Sequence, residues 1–191
     1  MKRAGLKDKN VVVEIMTRSF QNDPYFDYLL EKSKNKNKFR IIMEYIFEES
    51  FNKGEIYLSD DNTATALWKV RNKEKLTWNY IYRKLSFIFK IGFQSTYRIL
   101  RMDKLVNQYH PRIGKYAHLN VIGVLPESRG KGYMRELINY MVEKSKSNDT
   151  ALYLETANTT NISIYKKNRI SCFSGNQYER SHLVLHEQEL I

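Results

Sequence analysis

The stretch VLPESRGKGYMREL, Val124–Leu137, changes conformational habit twice within a few residues. Val124 closes the apolar strand pattern KYAHLNVIGV. Pro126 then ends it, because proline fixes φ and has no N–H to give a ladder. Helical spacing begins near Gly132 and sets Leu137, Ile138, Met141 and Val142 on one inward face. A helix start offers unpaired N–H groups and the positive end of the helix dipole, a ready site for a phosphate-type anion. Gly130 and Gly132 let the backbone approach such a group without a Cβ in the way, and Arg129 and Lys131 add charge. The spacing is not that of the common phosphate loops. G-x-x-x-x-G-K-[ST] is absent, and Arg135 stands where the third glycine of G-x-G-x-x-G belongs.

Upstream, DKNVVVEIMTRSF reads as a first helix broken by Asn22–Pro24, Tyr25–Leu30 as a short second, and Lys38–Phe51 as a third closed by Gly54. GEIYLSDDNTATALWKV reads as a hairpin around Asp60-Asp61-Asn62. From Asn72 to Gln108 the pattern is helical, basic and aromatic, with Trp78, Tyr80, Tyr82, Phe87, Phe89, Phe93 and Tyr97. It reads as a helical pair whose aromatics face the core. A base-stacking surface and the wall of a substrate pocket are the alternatives. Downstream, TALYLETAN is a strand, TTNISIYKKN a short helix, Ser171–Phe173 a weak strand and SHLVLHEQEL a last one. The result is one α/β layered domain over 1–191.

Composition narrows the function classes. Lys and Arg outnumber Asp and Glu by 32 to 21, a formal charge of +11, but the basic residues are scattered along the chain. Such a bias favours anionic partners or serves solubility. The single cysteine, Cys172, excludes an internal disulfide and a cysteine-based zinc site, and the four histidines form no metal-binding pattern. No metal is expected. There is no signal-peptide stretch, and LSFIFKIGF is too short to span a bilayer. The expectation is a cytoplasmic protein with no membrane partner.

The segment V-x-P-x-x-R-G-K-G and its following helix resemble the acyl-CoA-binding motif of the GCN5-related N-acetyltransferases, [QR]-x-x-G-x-[GA]. Arg129 and Gly132 match it, while Met134 stands where Gly or Ala is usual. LYLETANTTNISIYKKN is similar to that family's next strand and short helix, with Asn161 four residues before Tyr165. Arg169-Ile170 replaces the usual Gly-Phe. Asn120–Tyr165 carries the specific likeness, and about 72–108 looks like a helical insertion.

The resemblance implies a mixed sheet, splayed at its centre and flanked by helices, and acetyl transfer from acetyl-CoA to a primary amine by direct attack. It also implies the site residues. Arg129, Gly130, Lys131, Gly132, Tyr133 and Met134 would wrap the pyrophosphate. Ile122, Gly123 and Val124 would pair their backbone with the pantetheine arm, and Asn161 would bond the cofactor's amides. Tyr165 would protonate the departing thiolate. The base is His118, Glu155 or water. Strand alternation sets Tyr116, His118, Asn120 and Ile122 on one face, which makes Asn120, with Glu155, a candidate for binding the acceptor. Met134 either crowds the cofactor or turns inward while its N–H serves. Two other functions stay open: a silent CoA-binding sensor or scaffold, and a basic nucleic-acid module, although no nucleic-acid motif is present. The acceptor could be a small molecule or a peptide, and a homodimer is open.

Overall fold

The computed structural model describes residues 1–30, 36–71, 78–108, 110, 116–148, 150–156, 171–172 and 183–187. Three helices come first: α1 (Lys9–Ser19), α2 (Pro24–Leu29) and α3 (Lys36–Lys53). A short strand, β1 (Lys2–Arg3), precedes them. Asp23 caps α2 by accepting the Tyr25 N–H at 2.9 Å, and Pro24 follows in the first helical position, where its missing N–H costs nothing. The hairpin is β2 (Gly54–Leu58) and β3 (Ala64–Arg71), turning through Asn62 at φ 58°. Gly54 opens β2 rather than closing α3 from outside. A Cβ there would collide with the Trp68 carbonyl oxygen across the ladder, so the close strand approach requires glycine.

Two more helices, α4 (Trp78–Ile91) and α5 (Phe93–Asn107), lead to β4 (Tyr116–Val124), α6 (Tyr133–Ser147) and β5 (Ala151–Thr156). β6 (Ser171–Cys172) and β7 (Leu183–Glu187) complete the described elements. The sheet runs β1-β2-β3-β4-β5-β7-β6, antiparallel as far as β4 and parallel from there on. The short helix read over TTNISIYKKN lies outside the described residues.

Alternating strand residues feed two cores. Ile56, Leu58, Leu67 and Val121 meet α1, α2 and α3 on one face. Tyr57, Ala66, Trp68, Ala117 and Leu119 meet Leu137, Ile138 and Met141 of α6 on the other. β4 keeps this alternation only with a slip. Leu67 pairs with Val121 and Trp68 with Leu119, which leaves Asn120 as the extra residue of a β-bulge. The parity reverses there. Ala117 and Leu119 point to α6, but so do Ile122 and Val124 beyond the bulge, while Val121 points to the α1–α3 side. The expectation that Ile122 shares a face with Tyr116 and His118 is therefore corrected, because one inserted residue exchanges the faces of everything after it.

The expectation of core-facing aromatics over 72–108 is also corrected in part. Phe87 does turn inward and stacks on Tyr45 at 4.1 Å, and Ile91 and Met102 are buried. Trp78, Tyr82, Phe89, Phe93 and Tyr97 are exposed, Phe89 at 91%. Among the described residues no helix is long and apolar enough to cross a membrane, and no cluster of His, Cys, Asp or Glu could hold a metal ion.

Candidate active site

β4 stays paired with β3 down to Ala64–Val124, but its parallel pairing with β5 covers only Tyr116–Ala151, Ala117–Leu152 and His118–Tyr153. Past His118 the two strands part. Among the described residues, the far half of β4, Leu119–Val124, therefore has peptide groups on its β5 side that no strand pairs with, and unpaired strand backbone is a template for an extended ligand. Ile122, Gly123 and Val124 all lie in this stretch. At Gly123 the reason for glycine is contact. A Cβ would stand 3.0 Å from Ser19 Oγ, so the end of α1 rests directly on the strand.

Beyond Val124 the chain makes a 3-10 turn at Pro126–Ser128 and then the loop that starts α6. Gly130 (φ 79°) and Gly132 (φ 90°) sit in the left-handed region that favours glycine, with nothing within 4 Å of where a Cβ would be. Their open side is outward. The first helical bond runs from the Glu136 N–H to the Gly132 carbonyl at 3.1 Å. The N–H groups of Tyr133, Met134 and Arg135 thus belong to the turn that a helix cannot satisfy internally. Lys131 and Arg135 are exposed beside them.

The loop is fastened on two sides. Arg129 Nη2 donates to the Ser19 carbonyl at 3.0 Å, a cation at the C-terminus of α1. Arg18 pairs with Glu127 at 3.1 Å. The Glu127 carboxyl is held below its ordinary value by its own backbone N–H and then by Arg18. The Arg129 side chain is thus a brace, which leaves the loop's anion-facing groups to the backbone and Lys131. On the other side the Tyr133 hydroxyl donates to Asp61 Oδ2 at 2.5 Å, reaching the β2–β3 turn. That bond is the first cause of a strongly lowered Asp61 pKa, and it raises the pKa of Tyr133. Met134 is half-buried against the core beneath α6, so its side chain turns inward and leaves the loop's outer face clear.

At the point where β4 and β5 part, four rings converge. His118 is 7% exposed, with its ring edge-on to His110 at 4.9 Å and tilted against Tyr153 at 5.4 Å. His110 Nδ1 shares a 2.8 Å hydrogen bond with the Tyr116 hydroxyl. Strand alternation gave Tyr116 and His118 a common face; it gave no sign of His110 or Tyr153. Tyr153 is found from the parallel register opposite His118, and His110 only from the tertiary fold. Asn120 reaches the α3 side, where its amide lies 3.4 Å from Ser50 Oγ. Glu155 lies two residues beyond Tyr153 on β5, where its register partner is His186 of β7. Asn161 and Tyr165 lie outside the described residues.

Residues 92–169 match the model of the acetyltransferase (GNAT) family. An uncharacterised N-acetyltransferase of Schizosaccharomyces pombe is 24% identical over 177 residues, covering 86% of this chain and 71% of that one. Among solved structures, a histone acetyltransferase HPA2 and related acetyltransferase from Corynebacterium glutamicum superposes with a TM-score of 0.62 at 20% identity, covering 87% of this chain and 81% of that one. Arylalkylamine N-acetyltransferase 2 from Aedes aegypti gives 0.60 at 14% identity, covering 87% and 79%. The structural likenesses establish the fold: a mixed sheet flanked by helices.

Proposed function

We propose that this chain, whose residues 92–169 match the acetyltransferase (GNAT) family, transfers an acetyl group from acetyl-CoA to a primary amine by direct attack in a ternary complex. One observation carries the proposal. β4 leaves β5 after His118 while still paired to β3, and its chain runs on into the loop that presents the outward-facing Gly130 and Gly132 at the start of α6.

Acetyl-CoA supplies the activated thioester, and the chain's residues do the rest. The N–H groups of Gly130–Met134, with Lys131, hold the pyrophosphate at the positive end of α6. The backbone of Ile122–Val124 pairs with the amides of the pantetheine arm, and a strand N–H there stabilises charge on the thioester oxygen. Asn161 bonds the same arm. The amine must lose a proton, and His118 accepts it as general base. Glu155 and Asn120 orient the acceptor. The Tyr165 hydroxyl gives its proton to the sulfur as it leaves.

Calorimetric titration of the protein with acetyl-CoA, beside a Gly132→Glu variant, tests the reading. The added carboxylate would stand where the pyrophosphate binds, so the wild type should bind and the variant should not. A folded wild type that binds no acetyl-CoA would refute it. Binding without turnover across a panel of amines would instead make the chain a CoA-binding sensor. Given turnover, Tyr165→Phe and His118→Ala should each lower kcat with little change in KM.

A further inference from the structure

The outer face of α4 and α5 is where the molecule least resembles a soluble surface. On α4, Trp78, Tyr82, Leu85 and Phe89 recur at helical spacing along one stripe, and all four are exposed, Trp78 at 87%. On α5, Phe93, Tyr97 and Leu100 repeat the same spacing, and Lys104 occupies the next place in that row. α4 is thus apolar on its inner side as well, through Phe87 and Ile91. A helix apolar all round is usually buried on all sides, and an exposed patch of this kind marks an interaction site.

Charge selects the occupant. Between Trp78 and Asn107 the sequence holds six Lys or Arg and one acidic residue, Asp103. Arg83 faces inward to Glu49 at 3.6 Å, but Lys84, Lys90, Arg101 and Lys104 are exposed around the stripes. A second copy docked face to face would set these cations against their own kind. Nucleic acid would satisfy the cations and stack on the rings, but it has no use for Leu85 and Leu100. Aromatic and aliphatic side chains among cations fit the headgroup boundary of an anionic bilayer. There Trp and Tyr lie at the interface, and lysine stems cover apolar surface while their charges stay in water.

We propose that the α4–α5 face docks the protein on anionic membrane surfaces, lying at the interface without crossing it. This inference does not depend on acetyl transfer.

Co-sedimentation of the full chain with vesicles tests it, using phosphatidylcholine mixed with phosphatidylserine beside phosphatidylcholine alone. The wild type should sediment with the anionic vesicles and lose at least roughly tenfold in affinity on the neutral ones. Leu85→Glu combined with Phe89→Glu should abolish sedimentation. Lys90→Glu with Arg101→Glu should weaken it by roughly fivefold or more for each side chain changed, and this pair carries the test if the first does not fold. Wild type left in the supernatant with anionic vesicles would overturn the proposal. So would light scattering that finds a dimer which Phe89→Glu splits, or salt-sensitive RNA binding that the same change removes.

Discussion

Two helical regions flank the same sheet and are held in different ways. α6 buries Leu137, Ile138 and Met141 against the sheet and is pinned near both ends by side chains reaching the β2–β3 hairpin. Tyr133 meets Asp61 at its start, and Lys144 Nζ meets Glu55 at 2.6 Å and the Tyr57 hydroxyl at 2.6 Å near its end. The α4–α5 pair is anchored from inside by Phe87, Ile91 and Met102 and presents bare aromatic rings outside. The lesson is one of position. α6 must present its first turn at a fixed place beside the parted strands, so its inner face and both its ends are specified. Only the inner face of α4 and α5 is specified by the fold, which leaves the outer face available for another task.

The largest expected difference is in the core. Leu137→Ala should cost about 2–5 kcal/mol in urea denaturation, because the cavity left under α6 has rigid neighbours on the sheet. An equal cost for an outer-face change would break the comparison. Next come two glycines with positive φ, Gly130 (φ 79°) in the α6 loop and Gly92 (φ 90°) between α4 and α5. Alanine at either should cost about 1–2 kcal/mol through backbone strain alone. Only Gly130→Ala should also weaken acetyl-CoA binding by calorimetry, which separates a conformational role from a cradle.

A smaller effect sits at the far end of α6. Burial pushes the Glu55 carboxyl up, but the hydrogen bonds from Lys144 and Tyr57 outweigh it and hold the pKa below its ordinary value. Glu55 thus stabilises the fold above the ordinary carboxylate range, and this contribution is lost as pH falls through the lowered value. Lys144, raised by the same contacts against its burial, keeps its contribution until strongly alkaline pH. Glu55→Gln should cost under about 1 kcal/mol near neutral pH, given solvent screening, and denaturation curves should converge with wild type in acid. The smallest change is expected for Phe89→Ser, within about 0.5 kcal/mol in the same assay, because that ring is exposed.

Much of this was legible in the sequence for local reasons. Pro126, the two glycines of the loop and a change of period from strand to helix mark the β4–α6 turn without help from the rest of the chain. The hairpin is marked as clearly by Asp60-Asp61-Asn62. The face of α4 was not legible, because its apolar residues surround the axis and periodicity cannot select a side. Nor was the bulge, since a polar Asn120 in an apolar strand is compatible with either register. Of the candidate site, the loop follows from the chain's own pattern, whereas the use of Ile122–Val124 rests on family likeness. His110 comes to His118 only through the tertiary fold, and the proposed proton donor Tyr165 rests on family likeness.

The bulge at Asn120 also has a genetic consequence. Loss of that single codon would shorten β4 by the one residue its partner strand does not match. Leu119 and Val121 would then follow one another in plain alternation, opposite Trp68 and Leu67 as before, with Ile122 and Val124 still toward α6. A substitution at Asn120 would leave that register intact. In a library of single-codon deletions and substitutions scored for folded protein, position 120 should therefore tolerate deletion as well as exchange, whereas deletion of Ala66 from β3, which carries no extra residue, should not be tolerated.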